Sequence, residues 1–170
     1  MMKIYFGCGN HRMEGFIGVD RLKTRAVDVI HDMNRFPYPF RDSTAEEVHL
    51  INVLEHLPDT IRVMEEIWRI CKNEATIKIN VPYYNSPGAF QDPTHVRFFT
   101  EHTFDYFTED GALWLSAYNY YSHARFEILS VELNQRGILK LLPKRVQIFF
   151  AHHFATIHGI DFTLKTVKQV

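Results

Sequence analysis

A short apolar run, Lys3-Ile4-Tyr5-Phe6, ends in Gly7-Cys8-Gly9, and the next, Phe16-Ile17-Gly18-Val19, ends in Asp20. No other feature constrains the chain as tightly. A buried strand closed by glycines can turn sharply and let a ligand approach its backbone, because glycine has no Cβ to obstruct either. A carboxylate ending the neighbouring strand can accept hydrogen bonds from both hydroxyls of a ribose. Together they describe an adenosine-type site at the carboxyl ends of parallel strands. Only Asn10 to Gly15 separate the turn from the second strand, so the first helix of the expected α/β sheet is shortened or absent.

The pattern of strand and turn continues. Ala26 to Ile30, Glu47 to Ile51 and Ala75 to Val81 read as strands, the last stopped by Pro82. Before that last strand, Asp59 is placed to cap a helix on which Ile61, Met64, Ile67, Trp68 and Cys71 follow helical spacing. Strand, helix, strand implies a right-handed parallel crossover. Beyond Pro82, Tyr83 to Thr100 is rich in turn residues and reads as a long loop. Thr100 can start a short helix through Phe107. Phe126 to Glu132 and Ile160 to Val167 alternate as strands, and Ile138 to His158 is an apolar helical stretch starting or kinking near Pro143. The expected fold is α/β: a Rossmann-like, mostly parallel sheet of about seven strands with helices on both faces. The 170 residues suit one domain, with 1–82 as a cofactor-binding half and 83–170 as an acceptor-side half.

Two cofactor classes compete for the glycine turn. A dinucleotide fingerprint needs G-x-G-x-x-G and an acid about 20 residues further on. Here Arg12 stands at the third glycine position and Asp20 comes early. A pyrophosphate also needs a helix N-terminus aimed at it, and the short connection offers none. S-adenosylmethionine (SAM) carries no phosphate and loses less by that absence. The spacing favours SAM over NAD, with a plain tight turn as the ligand-free alternative.

Four segments in order resemble the successive motifs of class I SAM-dependent methyltransferases: Gly7-Cys8-Gly9, Gly18-Val19-Asp20, Phe36-Pro37-Tyr38-Pro39-Phe40 and Val53-Leu54-Glu55-His56-Leu57. The stretch Asp92-Pro93-Thr94-His95-Val96-Arg97-Phe98-Phe99 is similar to a branch of small methyltransferase-11-like proteins associated with glycan or cell-surface biosynthesis. The resemblance spans about Lys3 to Phe107. It implies that Gly7, Cys8 and Gly9 line the methionine part of SAM and that Asp20 holds the ribose. It further implies that Asp32 and Met33 meet the adenine, and that Ile51 and Asn52 touch the sulfonium region. The acid usual just before the glycine turn is missing, because Tyr5 and Phe6 end that strand.

SAM supplies its own electrophile, so the protein has to bind, align and exclude water, adding a base only for a hydroxyl or protonated amine acceptor. His95, with Asp92 nearby, is the candidate base, because imidazole has a suitable resting pKa; the plainer alternative is that His95 and Arg97 tie down a long loop. His56 either faces the site or caps a helix. Tyr83 and Tyr84 form an acceptor wall or simply pack, and Arg97 could bind an acidic group on the acceptor. No metal is expected: His152, His153 and His158 have no cysteine or carboxylate at ligand spacing. Leu139 to Phe154 is an aromatic-rich helix expected to pack on the sheet or form a dimer contact, with weak membrane-surface association as the other reading.

The net charge of −1 argues against nucleic acid, and no apolar run reaches the roughly 18 residues of a membrane span. Cys8 and Cys71 are no disulfide framework and fit a cytoplasmic protein. The expected activity is methyl transfer from SAM to oxygen or nitrogen of a small molecule or glycan. The alternative is a non-catalytic module that binds SAM or a nucleotide.

Overall fold

Seven strands form one sheet in the order β3-β2-β1-β4-β5-β7-β6. The computed structural model describes residues 1–109, 118, 120–135 and 137–168. The strands are β1 (Met2–Phe6), β2 (Ile17–Asp20), β3 (Val29–Ile30), β4 (Ala45–Ile51), β5 (Cys71–Pro82), β6 (Phe126–Gln135) and β7 (Ile157–Thr166). The first five pair in parallel, and β7 runs antiparallel to both its neighbours. The mostly parallel Rossmann-like sheet is therefore present. The third strand is shorter than its apolar pattern suggests. Gly18 lets the next segment press against β2: a Cβ there would lie 2.2 Å from the Ala26 carbonyl oxygen. Asp28 then bonds Gly18 twice, through its own N–H (2.8 Å) and by accepting the Gly18 N–H (2.9 Å). Side-chain and loop bonds replace strand pairing until Val29.

No helix follows β1; residues 7–16 form turns. One sheet face explains how the chain does without it. Lys3, Glu47, His49 and Lys78 sit in register across β1, β4 and β5. Glu47 pairs with Lys3 at 2.7 Å, His49 at 2.8 Å and Lys78 at 3.6 Å. Phe16, from the connection itself, lies over this group, 4.6 Å from the His49 ring and 5.5 Å from the Lys3 ammonium. Charged residues paired this way satisfy one another where an apolar face would need a helix against it.

Burial alone would raise the Glu47 carboxyl, but the hydrogen bonds from Lys3 and His49 win and hold it down at about 2. Because its folded pKa lies below the unfolded value, its stabilisation is complete above about pH 4.5 and disappears as the pH falls toward 2. Glu47→Gln is expected to cost about 2 kcal/mol at pH 7. The deficit should shrink as urea unfolding is repeated at pH 5, 4 and 3; a deficit independent of pH would show that Glu47 acts by packing alone.

The helix α1 (Thr60–Ile70) begins as its sequence suggests, with the Asp59 carboxylate accepting the Arg62 N–H at 3.0 Å. Val63, Met64, Ile67 and Ile70 are buried against Phe6, Val48, Leu50 and Ile77 on the opposite, apolar sheet face. Ile61 and Trp68 flank this seam half-buried. Arg69 on α1 donates to both Glu66 oxygens (2.8 and 2.7 Å) and to the carbonyls of Tyr38 and Phe40 (3.1 and 3.0 Å). This clamp holds the Phe36–Phe40 segment, whose Tyr38 hydroxyl donates to the Met33 carbonyl at 3.0 Å.

The second half departs from expectation in three places. The long loop after β5 contains a short helix α2 (Pro87–Gln91), which Ser86 caps by accepting the Ala89 N–H, with Pro87 in the first turn where its missing N–H costs nothing. The turn of helix expected from Thr100 begins at Thr103 and is a 3-10 turn (Thr103–Phe107). The Ile138–His158 stretch does start its α-helix just after Pro143, as its sequence allows, but is not helical throughout. A 3-10 turn (Gly137–Leu141) precedes α3 (Lys144–Phe154), and left-handed Ala155 ends it, so His158 belongs to β7. Of α3, Ala151 is fully buried while Phe149 and Phe154 stay exposed, so the helix packs through a narrow contact rather than a broad face. No helix among the described residues is long and apolar enough to cross a membrane.

Candidate active site

A cavity of about 340 Å³ opens at the carboxyl ends of β1, β2 and β4, a size typical of small-molecule sites. Gly7, Asp20, Asp32, Met33, Asn52 and His56 line it, all six anticipated from sequence. Arg21, His31, Asn34, Val53, Leu57 and Thr94 complete the wall and carried no separate signal.

Backbone geometry shapes the floor. Gly7 has φ +64°, and a Cβ there would lie 2.1 Å from a methyl carbon of Val53. Asn52 also sits at positive φ, 52°, at the end of β4, held by its N–H to the Asn80 carbonyl at 2.9 Å; asparagine tolerates this region better than most residues. The Asp20 carboxylate accepts the N–H of Gly9 at 2.9 Å and that of Leu22 at 3.0 Å. Each oxygen keeps a lone-pair direction for a ligand hydroxyl. Asp32 accepts the Asn34 backbone N–H at 3.0 Å, the first cause holding its carboxyl below the usual range.

Three of the anticipated cofactor residues stand behind the wall rather than in it. Gly9 ties the turn to Asp20, the Cys8 side chain is buried beside Ala26, and Ile51 packs with Tyr5, Cys8 and Ala26. The missing acid before the turn leaves two carboxylates in the lining, Asp20 at the end of β2 and Asp32 just after β3, on one flank of β1, while His56 follows β4 on the other flank and Thr94 joins the same lining. That donor set and volume fit an adenosine-type ligand.

At the far end, the loop after β5 folds back onto the turn that follows β4. The N–H groups of Val96 and Arg97 both donate to the Glu55 carbonyl, at 2.8 and 3.1 Å. The His56 and His95 rings meet edge to face at 4.7 Å. Asp92 accepts the Thr94 hydroxyl at 2.7 Å and the Thr94 N–H at 2.8 Å, and lies 3.9 Å from His95 Nε2. The Thr94 bonds hold the Asp92 carboxyl below its ordinary value. His95 sits behind the cavity wall, next to His56 and Thr94 in it.

Arg97, Tyr83 and Tyr84 are outside the wall. The Arg97 guanidinium donates to the Pro58 carbonyl, its Nε at 2.7 Å. The buried Tyr83 hydroxyl donates to Glu101 at 2.8 Å. Glu101 also meets His152 Nε2 at 3.1 Å, and the Tyr84 hydroxyl meets His152 Nδ1 at 2.7 Å. This network joins the loop to α3. His153 Nδ1 bonds the Phe149 carbonyl at 2.8 Å.

Glu55 was not singled out by the sequence. It is 1% exposed, and neither carboxylate oxygen has a hydrogen-bond partner. Burial raises its pKa to about 7, against the opposing pull of its own N–H and of His95.

Residues 7–79 match the family model of the Methyltransferase domain. Among solved structures, a SAM-dependent methyltransferase from Archaeoglobus fulgidus is 16% identical, with a TM-score of 0.65 over 96% of this chain and 85% of that one. One from Mesorhizobium loti is 10% identical, with a TM-score of 0.58 over 96% and 90%. The complex of the Haloferax volcanii Trm112 methyltransferase activator with its methyltransferase is matched at 12% identity, with a TM-score of 0.62 over 99% and 83%. A comparison with curated proteins finds no match. The glycine turn and Asp20 lie within the segment that matches the methyltransferase-domain family model, and the chain as a whole has the Rossmann-like fold of these SAM-dependent methyltransferase structures.

Proposed function

We propose that the chain moves the methyl group of SAM to an oxygen or nitrogen of a small-molecule or glycan acceptor. The observation that carries this reading is a cavity at the carboxyl ends of the parallel strands whose lining brings together Asp20, Asp32, Asn52, His56 and Thr94. In this reading Asp20 holds the ribose hydroxyls, Asp32 and Met33 face the adenine, and Gly7 and Asn52 bound the methionine portion. SAM supplies a methyl group already activated by its sulfonium. The acceptor enters over His56 and Thr94, and its attacking atom bonds to the methyl carbon as the sulfur–carbon bond breaks. His95 Nε2 receives the acceptor's proton, because His95 Nδ1 is engaged with the Ala89 carbonyl at 3.1 Å. Asp92 orients Thr94 and stabilises the charge that His95 gains. Two free, buried cysteines support a reducing, cytoplasmic setting.

The test is a screen of sugar and small-molecule acceptors with labelled SAM, followed by His95→Asn on the best acceptor. Turnover is expected to fall about 10²- to 10³-fold while S-adenosylhomocysteine affinity stays within about twofold. Tight binding of that product with no transfer to any acceptor class would instead favour the non-catalytic binding module.

A further inference from the structure

We propose that Glu55, His56 and His95 form a divalent transition-metal site at the acceptor end of the cofactor cavity. The inference rests on the methyl-transfer reading and changes one role in it: His95 becomes a ligand rather than the proton acceptor.

One ligand atom from each of these residues lies within 4.8 Å of the other two. The hydrogen bonds around them leave one lone pair on each imidazole. The Thr94 hydroxyl spends its only proton on Asp92 at 2.7 Å, so its contact with His56 Nδ1 at 2.9 Å makes that nitrogen the donor. His56 Nε2 then carries a lone pair. His95 Nδ1 faces the Ala89 carbonyl at 3.1 Å and must also donate, which leaves His95 Nε2 bare. Such contacts at the far ring nitrogen are how metal-binding histidines are oriented.

The third group is a carboxylate. Glu55 is almost wholly removed from solvent, and both its oxygens lack hydrogen-bond partners. A buried, unpaired carboxylate is costly, and a cation is one of the few things that can compensate it. Its backbone is pinned by the N–H groups of Val96 and Arg97, so the same two hydrogen bonds that dock the loop bring His95 to Glu55. Two imidazoles and one carboxylate suit zinc, manganese, iron or cobalt better than magnesium or calcium. The ligands have to close by roughly 1 Å to reach bonds of about 2.1 Å.

His56 and Thr94 line the cavity, so an ion held here faces the space assigned to the acceptor. It would bind an acceptor oxygen and lower its pKa, which narrows the acceptor class to hydroxyl compounds, vicinal diols included.

Untagged protein, stripped with EDTA, is titrated with Mn²⁺ followed by electron paramagnetic resonance and with Co²⁺ followed by visible absorption. One saturable site per chain is expected. Glu55→Gln and His56→Asn should each weaken it at least about tenfold, with melting curves confirming the fold; His56, in the cavity wall, guards against a folding failure at buried Glu55. No saturable binding below about 1 mM, or affinity unchanged in the folded variants, overturns the site. S-adenosylhomocysteine calorimetry on the same samples separates the two readings: its heat without metal binding removes only the metal, and its absence removes the cofactor reading.

Discussion

Asp20→Ala is expected to lower affinity for S-adenosylhomocysteine at least about 100-fold, roughly 3 kcal/mol. Two effects add. The first is the loss of charge-assisted hydrogen bonds to the ribose, each worth about 1.5–3 kcal/mol. The second is the loss of the carboxylate that fixes the glycine turn through the Gly9 N–H. No helix follows the first strand to hold that turn, since residues 7–16 have only turns. Asp20→Asn separates the effects: it keeps one acceptor oxygen but can present an amide N–H where Gly9 now donates, so an intermediate loss is expected. Isothermal calorimetry reads both, with thermal melts of the ligand-free proteins as the control. Wild-type affinity in Asp20→Ala would falsify the placement of the ribose.

Gly7→Ala is expected to lose about 3 kcal/mol in stability and to leave an unmeasurable affinity for the cofactor product. Its φ of +64° disfavours any L side chain, and the new Cβ would meet the Val53 methyl at 2.1 Å. Removing that methyl should relieve part of the damage. In the double variant Gly7→Ala/Val53→Ala the steric share is expected to return as a coupling of about 1–2 kcal/mol, while the backbone strain of about 1 kcal/mol persists. Urea unfolding of the four proteins measures the cycle. Strict additivity would mean that the clash is absorbed elsewhere.

These two positions were also the clearest in the sequence, for a physical reason. A turn that needs positive φ selects glycine, and a strand end that needs an acceptor selects aspartate, whatever the rest of the chain does. The α1 boundary was legible on the same ground, since Asp59 satisfies a local N–H. The end of β4 at Ile51 was legible as well, whereas the left-handed conformation of Asn52 just beyond it was not, because asparagine only tolerates that region. Tyr83, Tyr84 and Arg97 show the limit. Their types suit ligand binding and packing equally, and their partners, Glu101, His152 and the Pro58 carbonyl, come from other segments.

The sequence by itself determined the α/β order, the shortened first connection, and the glycine turn with Asp20 and Asp32, because local backbone needs and strand periodicity write themselves into residue type. Only the tertiary structure decided which face of the sheet is charged and which residues share the cavity with the carboxylates. Glu55 and His56 are adjacent in sequence, yet His95 joins them through two backbone hydrogen bonds between loops. Such a contact is a product of chain packing and leaves no spacing for a sequence to display.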